Sequence, residues 1–437
     1  MSTTPARPRR ALPLCLAVTL VGGAVVLVPS IATAGEEGGT GGKARNVIFV
    51  NGDGMGLAHR EAARLDQVGF DGELAMNSLP VVGLQTTDAR DPEDTVTDSA
   101  AAASAWATGQ KTYNGAISVD VDGNPLTVLG AEAAAAGKAT GLVTTAQVTD
   151  ASPAAFFSTS TDRYLQDDIA RQYLEFTKPS VILGGGEDWW LPAGSPGAFP
   201  DAPAVDPEEG SRGEQGDLIA RAQDEGYEYV SDGDQLAAAE GDKLLGLFAN
   251  EEMFQQFPEG QGDEFDPLVP LADMTTKALE VLEQDDDGFF LLVEEEAVDE
   301  MSHANNGTRM LEAMRSLDAA VQVARDFVAD HPDTLLIVTG DHECGGLTVE
   351  DVNPDDESGP GGTLDGTPAP DEEQISGEDG PFQVAGAEGF DFALDWTTAG
   401  HTGAPTPVTA EGTGSEQLTG FYPNTYLHEV MRGVLVD

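Results

Sequence analysis

Asp98-Ser99 opens the alanine run Ala100-Ala101-Ala102-Ala103, and no other stretch of this chain has clearer chemical content. The run predicts a helix starting at Ser99, where free backbone N–H groups and the helix dipole favour an anion. A serine nucleophile, or the phosphate it has captured, would be held there. Ser and Asp are also ordinary helix caps, so Ser99 carries little by itself. Its companions change that: Asn51-Gly52-Asp53-Gly54-Met55-Gly56, Asp299 with His303, Asp341-His342 and His401 supply the ligands of a multi-metal centre. Asp299 and His303 are four apart, so on a helix they share a face and can bind one ion. Of six histidines, His303, His342 and His401 fall in such motifs, whereas His59, His331 and His428 read as surface or packing residues.

The elements that must position these groups follow from hydrophobic patterning. Short apolar, β-branched runs recur at 46–50, 81–86, 140–145, 180–183, 244–248, 289–293 and 335–339. Helical patterns at 126–136, 162–176, 274–282 and 309–329 separate many of them. Strands alternating with helices predict an α/β three-layer sandwich, with a central, mostly parallel β-sheet flanked by helices. Asp53 follows the first strand, Glu294 directly follows 289–293, and Asp341 comes just after 335–339. Open parallel sheets bind ligands beyond the carboxyl ends of their strands, so three motifs at three such ends point to one site. Stretches 192–216 and 350–386, rich in Gly, Pro and acid, read as acidic surface insertions or lids.

Residues 1–34 read as a signal peptide: Arg7, Arg9 and Arg10, an apolar run over 11–28, then Ala32-Thr33-Ala34. The expected mature chain, 35–437, forms one catalytic domain and is exported to the periplasm or outside the cell, by a general or a twin-arginine route. No membrane attachment is expected once the leader is gone. The net charge is −56, and the leader takes three basic and no acidic residues with it, leaving about −59. Such a surface repels itself, nucleic acid, anionic membranes and, at long range, a phosphate substrate. Because the acid is spread along the chain, it predicts adaptation to salt, which screens that repulsion. A site for an anion must then concentrate its own positive charge, as metal ions would. Cys15 leaves with the leader and Cys344 cannot pair alone, so Cys344 reads as a small buried residue in a Gly-rich loop.

In order, the motifs NGDGMG, TDSAAAASAWATG, TDASPAAFFSTSTDR, VEEEAVDEMSHANN, TGDHECGG and TAGHTG resemble those of bacterial alkaline phosphatases, from Asn46 to a terminal helix near 423–435. The resemblance implies hydrolysis of phosphate monoesters through a phosphoserine on Ser99, with inorganic phosphate released. It implies one zinc on Asp299, His303 and His401, a second on Asp53, Asp341 and His342, and a magnesium on Asp53, Ser152 and Glu294. Arg163 would grip the phosphate, and a homodimer is left open. Mixed Asp/His ligation suits zinc, and a carboxylate–hydroxyl set suits magnesium. A guanidinium can pair two phosphate oxygens at once.

The chain departs from the family at Glu300, where the best-studied bacterial members carry a lysine and animal members a histidine; that cation helps hold phosphate, so its loss should loosen phosphate binding. Asp150 matches a carboxylate beside the magnesium site. Glu295 and Glu296 replace small residues, and Glu294 is the glutamate that keeps the spacing to Asp299. A sulfatase would need a C/S-x-P-x-R pattern, which neither cysteine begins. A phosphodiesterase would lack the Ser152 and Glu294 set. Gly137-Lys138 is followed by Ala139 and does not make a P-loop. A non-catalytic, cation-collecting acidic protein would have no need of Ser99.

Overall fold

Residues 47–50 of the first strand alternate between two apolar layers: Val47 and Phe49 pack on one face of the sheet, Ile48 and Val50 on the other. Strands covered on both faces read as continuous apolar runs, which is why the sequence pattern located them. The computed structural model describes residues 44–199, 210–254, 264–352 and 377–436. All of these lie in one unit, Gly42–Asp437. The leader (1–34), residues 200–209 of the first insertion and 353–376 of the second fall outside the described residues.

The strands are β1 (Asn46–Gly52), β2 (Val81–Thr86), β3 (Ala139–Gln147), β4 (Val181–Gly185) and β5 (Glu228–Val230). They continue as β6 (Leu244–Leu247), β7 (Phe289–Glu295), β8 (Thr334–Thr339), β9 (Glu343–Cys344) and β10 (Thr348–Asp351). The last are β11 (Gly377–Gln383), β12 (Asp391–Trp396), β13 (His401–Thr402), β14 (Thr406–Gly412) and β15 (Gly420–Pro423). Ten form one sheet in the order β15-β2-β14-β8-β1-β7-β3-β4-β6-β5. Among these, β14 alone runs against its neighbours β2 and β8; the other described pairings are parallel.

Helices Leu57–Val68, Leu271–Leu282 and Gly307–Asp330 cover one face. Helices Ser99–Thr108, Leu129–Ala135, Ala151–Phe157 and Thr425–Leu435 cover the other. The expected three-layer α/β sandwich is the fold observed. Patterning did not reveal β5, β14 and β15 of the main sheet, nor the antiparallel sheet β10-β12-β11. The described ends of the second acidic stretch are strands β10 and β11 of that sheet. Among the described residues, no helix is long and apolar enough to cross a membrane.

Candidate active site

β1, β7 and β8 lie side by side at the centre of the sheet, and each ends in a group that chemistry can use. Asp53 follows β1, Glu294 is the penultimate residue of β7, and Asp341 and His342 lie two and three residues past β8. Parallel register brings these ends to one edge. The turn after β1 needs glycine: Gly54 has φ +69°, and a Cβ there would sit 2.5 Å from Asp299 Oδ1. Its N–H donates to Asp341 Oδ1 at 3.0 Å, tying the β1 and β8 loops together.

Ser99 is the first residue of its helix, as expected. The cap is Asp98, whose carboxylate accepts from Ala101 N at 2.9 Å, so the Ser99 hydroxyl is not consumed by capping. Ser99 is buried, with Oγ 3.2 Å from His342 Nε2.

Two groups of side chains could hold an ion here, and His342, which touches the hydroxyl, belongs to the first. Asp53, Asp341 and His342 offer ligand atoms that all lie within 4.8 Å of one another. His342 Nε2 is 3.0 Å from Asp341 Oδ2 and 3.5 Å from Asp53 Oδ1. The second group is Asp299, His303 and His401, joined by Cys344, within the same limit. His303 Nδ1 donates to Ala399 O at 2.6 Å and His401 Nδ1 to Thr97 O at 3.0 Å. A carbonyl can only accept, so both rings carry a proton on Nδ1 and turn Nε2 inward, where, against burial, Asp299 favours the charged form of each ring and an ion would take the Nε2 lone pair instead. Those two Nε2 atoms are 3.1 Å apart, and they lie 3.0 and 3.5 Å from Asp299 Oδ2.

Asp299 draws both imidazoles toward the charged form, and an ion held among the three would take the place of those protons. The orphaned oxygens agree: Asp53 Oδ1, Asp299 Oδ1 and Asp341 Oδ2 are buried with no hydrogen-bond donor. Burial, then the Asp341, Asp299 and Glu294 carboxylates, push Asp53 well above the usual carboxylate range. A divalent cation is the counter-charge that such a cluster lacks, and its N/O donors suit zinc.

Ser152 and Glu294 come together beside this cluster, bridged by Asn51. Asn51 Nδ2 donates to Glu294 Oε1 at 3.1 Å and to Ser152 Oγ at 3.3 Å, while Thr144 Oγ1 donates to Glu294 Oε2 at 2.8 Å. Glu295, one residue on, faces the opposite side of the sheet and takes a hydrogen bond from Thr145 Oγ1 at 2.6 Å. Strand alternation thus separates the neighbouring glutamates, placing Glu294 rather than Glu295 beside Ser152. Asp53 belongs to the electrostatic surroundings of this set, since Glu294 is among the charges that raise it.

Arg163 lies at the same end, its guanidinium 3.1 Å from Asp150 and 3.4 Å from Asp98. Burial lowers its pKa, but Asp150 and Asp98 outweigh that and hold the charge firmly in place. Glu300 follows Asp299 on the helix Ala297–His303, and burial and then Asp299 push its carboxyl up to about 7.

Every candidate residue is therefore drawn to one edge of the sheet: Ser99, Asp53, Ser152, Arg163, Glu294, Asp299, His303, Asp341, His342 and His401. Reading the sequence missed two neighbours. Asn51 stood inside a quoted motif, but its contact with Glu294 depends on strand pairing. Cys344 was expected to be buried and is, yet its sulfur also joins the Asp299 group. His59 packs as expected, with Nδ1 accepting from Gly56 N at 3.1 Å and Nε2 3.1 Å from Ser302 Oγ.

A sequence model described as alkaline phosphatase matches residues 44–366. The chain is 35% identical to the streptomycin-6-phosphate phosphatase of Streptomyces griseus, covering 94% of each chain. It is 30% identical to alkaline phosphatase 3 of Bacillus subtilis, covering 96% of this chain and 95% of that one. Among solved structures, a variant of the alkaline phosphatase from the Antarctic bacterium TAB5, with Mg bound in its M3 site, superposes with a TM-score of 0.67. It shares 25% sequence identity, over 90% of this chain and 98% of that one.

Proposed function

The chain belongs to the alkaline phosphatase family of metal-using phosphomonoester hydrolases, and from that premise we propose that Ser99 is its nucleophile and two zinc ions and one magnesium ion its cofactors. The observation that carries this reading is the Ser99 hydroxyl, free of capping duty at a helix start and 3.2 Å from Nε2 of His342, a member of one of two groups of potential metal ligands. A storage protein for cations would have no use for that hydroxyl.

Asp299, His303 and His401 would hold one zinc, Asp53, Asp341 and His342 the other, and Asp53, Ser152 and Glu294 the magnesium. When bound, the zinc pair lowers the pKa of the serine hydroxyl and of water and stabilises charge on the leaving oxygen. Arg163, held by Asp150 and Asp98, pairs two oxygens of the phosphoryl group and fixes phosphorus in line with Ser99 Oγ. Ser99 gives its hydroxyl proton to solvent and Oγ forms the new P–O bond as the ester P–O bond breaks, and the alcohol departs with a proton taken from solvent. Water then attacks the phosphoserine, Ser99 regains its proton, and inorganic phosphate leaves. Backbone N–H groups at the start of the Ser99 helix favour the negative charge throughout.

Export by the 1–34 segment and adaptation to salt complete the reading, supported by the leader pattern and the net charge of −56. The test is release of an aryl alcohol from an aryl phosphate, with and without chelator. Activity that survives complete chelation, or the absence of any activity with zinc and magnesium restored, overturns the assignment.

A further inference from the structure

Asn51 is a polar residue where the surrounding pattern calls for an apolar one. β1 lies between β7 and β8, and residues 47–50 are apolar and buried. Asn51 is buried too, in register with Glu294 on β7 and Thr339 on β8. Burying a carboxamide costs roughly 1–3 kcal/mol unless its groups find partners. Both hydrogens of Nδ2 are used: one goes to Glu294 Oε1 at 3.1 Å, the other to Ser152 Oγ at 3.3 Å. Turning the amide over would set Oδ1 against the Glu294 carboxylate, acceptor against acceptor, so this orientation is the one chemistry allows. Oδ1 itself has no hydrogen-bond donor.

We propose that Asn51 is a positioning residue for the magnesium site, holding Ser152 and Glu294 at a fixed separation. This rests on the third-site reading given above. The two donors come from different elements, Ser152 from the helix Ala151–Phe157 and Glu294 from β7. One NH2 group spans them, and each donor oxygen keeps lone-pair capacity for the ion. A neutral amide does this without adding a positive charge, which a lysine would bring and which would compete with the cation. Thr144 Oγ1, donating to the other Glu294 oxygen at 2.8 Å, locks the carboxylate plane from its far side.

The test is calorimetric titration of magnesium into zinc-loaded protein for wild type, Asn51→Leu, Asn51→Ala and Glu294→Gln, with zinc content measured in each. Asn51→Leu keeps the branched shape while adding bulk, and Asn51→Ala repeats the test without a steric clash should leucine not be accommodated. Both should weaken magnesium binding by about 10–100-fold, the usual effect of removing an outer partner of a metal ligand, and leave zinc content intact. Magnesium binding as in wild type for both Asn51 variants, with binding lost in Glu294→Gln, overturns the role of Asn51 and leaves the third site standing. Equal loss of zinc and magnesium in both Asn51 variants also overturns it, since that marks a general scaffold residue. Unchanged binding in Glu294→Gln overturns the third-site reading and this proposal with it.

Discussion

Ser99 Oγ and His342 Nε2 lie 3.2 Å apart although 243 residues separate them in the chain. One sits at the start of a helix on one side of the sheet, the other in the loop beyond β8. The contact exists only because helix start and strand end share one edge, and the chemistry proposed here depends on it.

Ser99→Ala should lower turnover of an aryl phosphate by roughly three orders of magnitude or more, since loss of a nucleophile in other hydrolases costs about 10⁶. Metal content and thermal midpoint should stay near wild type, because the hydroxyl is a minor part of the packing. Near-normal kcat in the variant would rule out the covalent route.

Asp341→Ala and His342→Ala should each be more damaging than Arg163→Ala. Loss of a ligand removes the charge that activates Ser99, several kcal/mol of transition-state stabilisation, whereas Arg163 contributes charge-assisted hydrogen bonds of about 1.5–3 kcal/mol. The comparison is made in kcat/KM at saturating zinc. Arg163→Ala emerging as the worst of the three would show that the second ion does not act on Ser99.

Glu300→Lys should tighten inhibition by inorganic phosphate and slow turnover where phosphate release limits the rate. It exchanges a carboxylate beside Asp299 for a cation near a bound anion. An inhibition constant identical to wild type would place the Glu300 side chain outside the reach of phosphate.

Glu295 gives a pH prediction. Burial pushes its carboxyl up to about 7, against hydrogen bonds from Thr145, Ser316 and the Ala297 N–H that pull it down. An unfolded glutamate releases its proton near 4.5. Between those values the folded state binds more protons, so stability from this group falls as pH rises, by about 3 kcal/mol across the window. Glu295→Gln imitates the protonated form and should stabilise the protein at pH 8 but hardly at pH 4. Denaturant midpoints at both values decide it, and an equal effect at the two would refute the raised carboxyl.

Stability should rise from low to molar sodium chloride. With 77 acidic against 21 basic residues, exposed carboxylates repel one another, and salt screens that repulsion far more than it screens buried metal–ligand contacts. Association of anionic substrates should speed up as well. The readouts are the thermal midpoint and kcat/KM against salt at fixed zinc and magnesium; a midpoint that is flat or falls would remove salt adaptation while leaving the phosphatase assignment intact.

The sequence by itself determined the central strands and the donors. Strands buried on both faces are apolar runs and need no partner to be recognised, and 46–50, 289–293 and 335–339 all proved to be central strands. The spacing of Asp299 and His303 on one helical face was also legible, because helical geometry is local, and they lie 3.0 Å apart. What required tertiary structure was everything set by pairing between distant segments. β14 runs antiparallel in a parallel sheet, and no local pattern encodes direction. Glu294 and Glu295 are chemically identical in sequence, and only the pleat of β7 sends one to Ser152 and the other to Thr145. Asn51 acquires its partner through β1–β7 register. A one-residue slip in that register would turn its amide away from Glu294, so the contact belongs to the sheet and not to the motif that contains it.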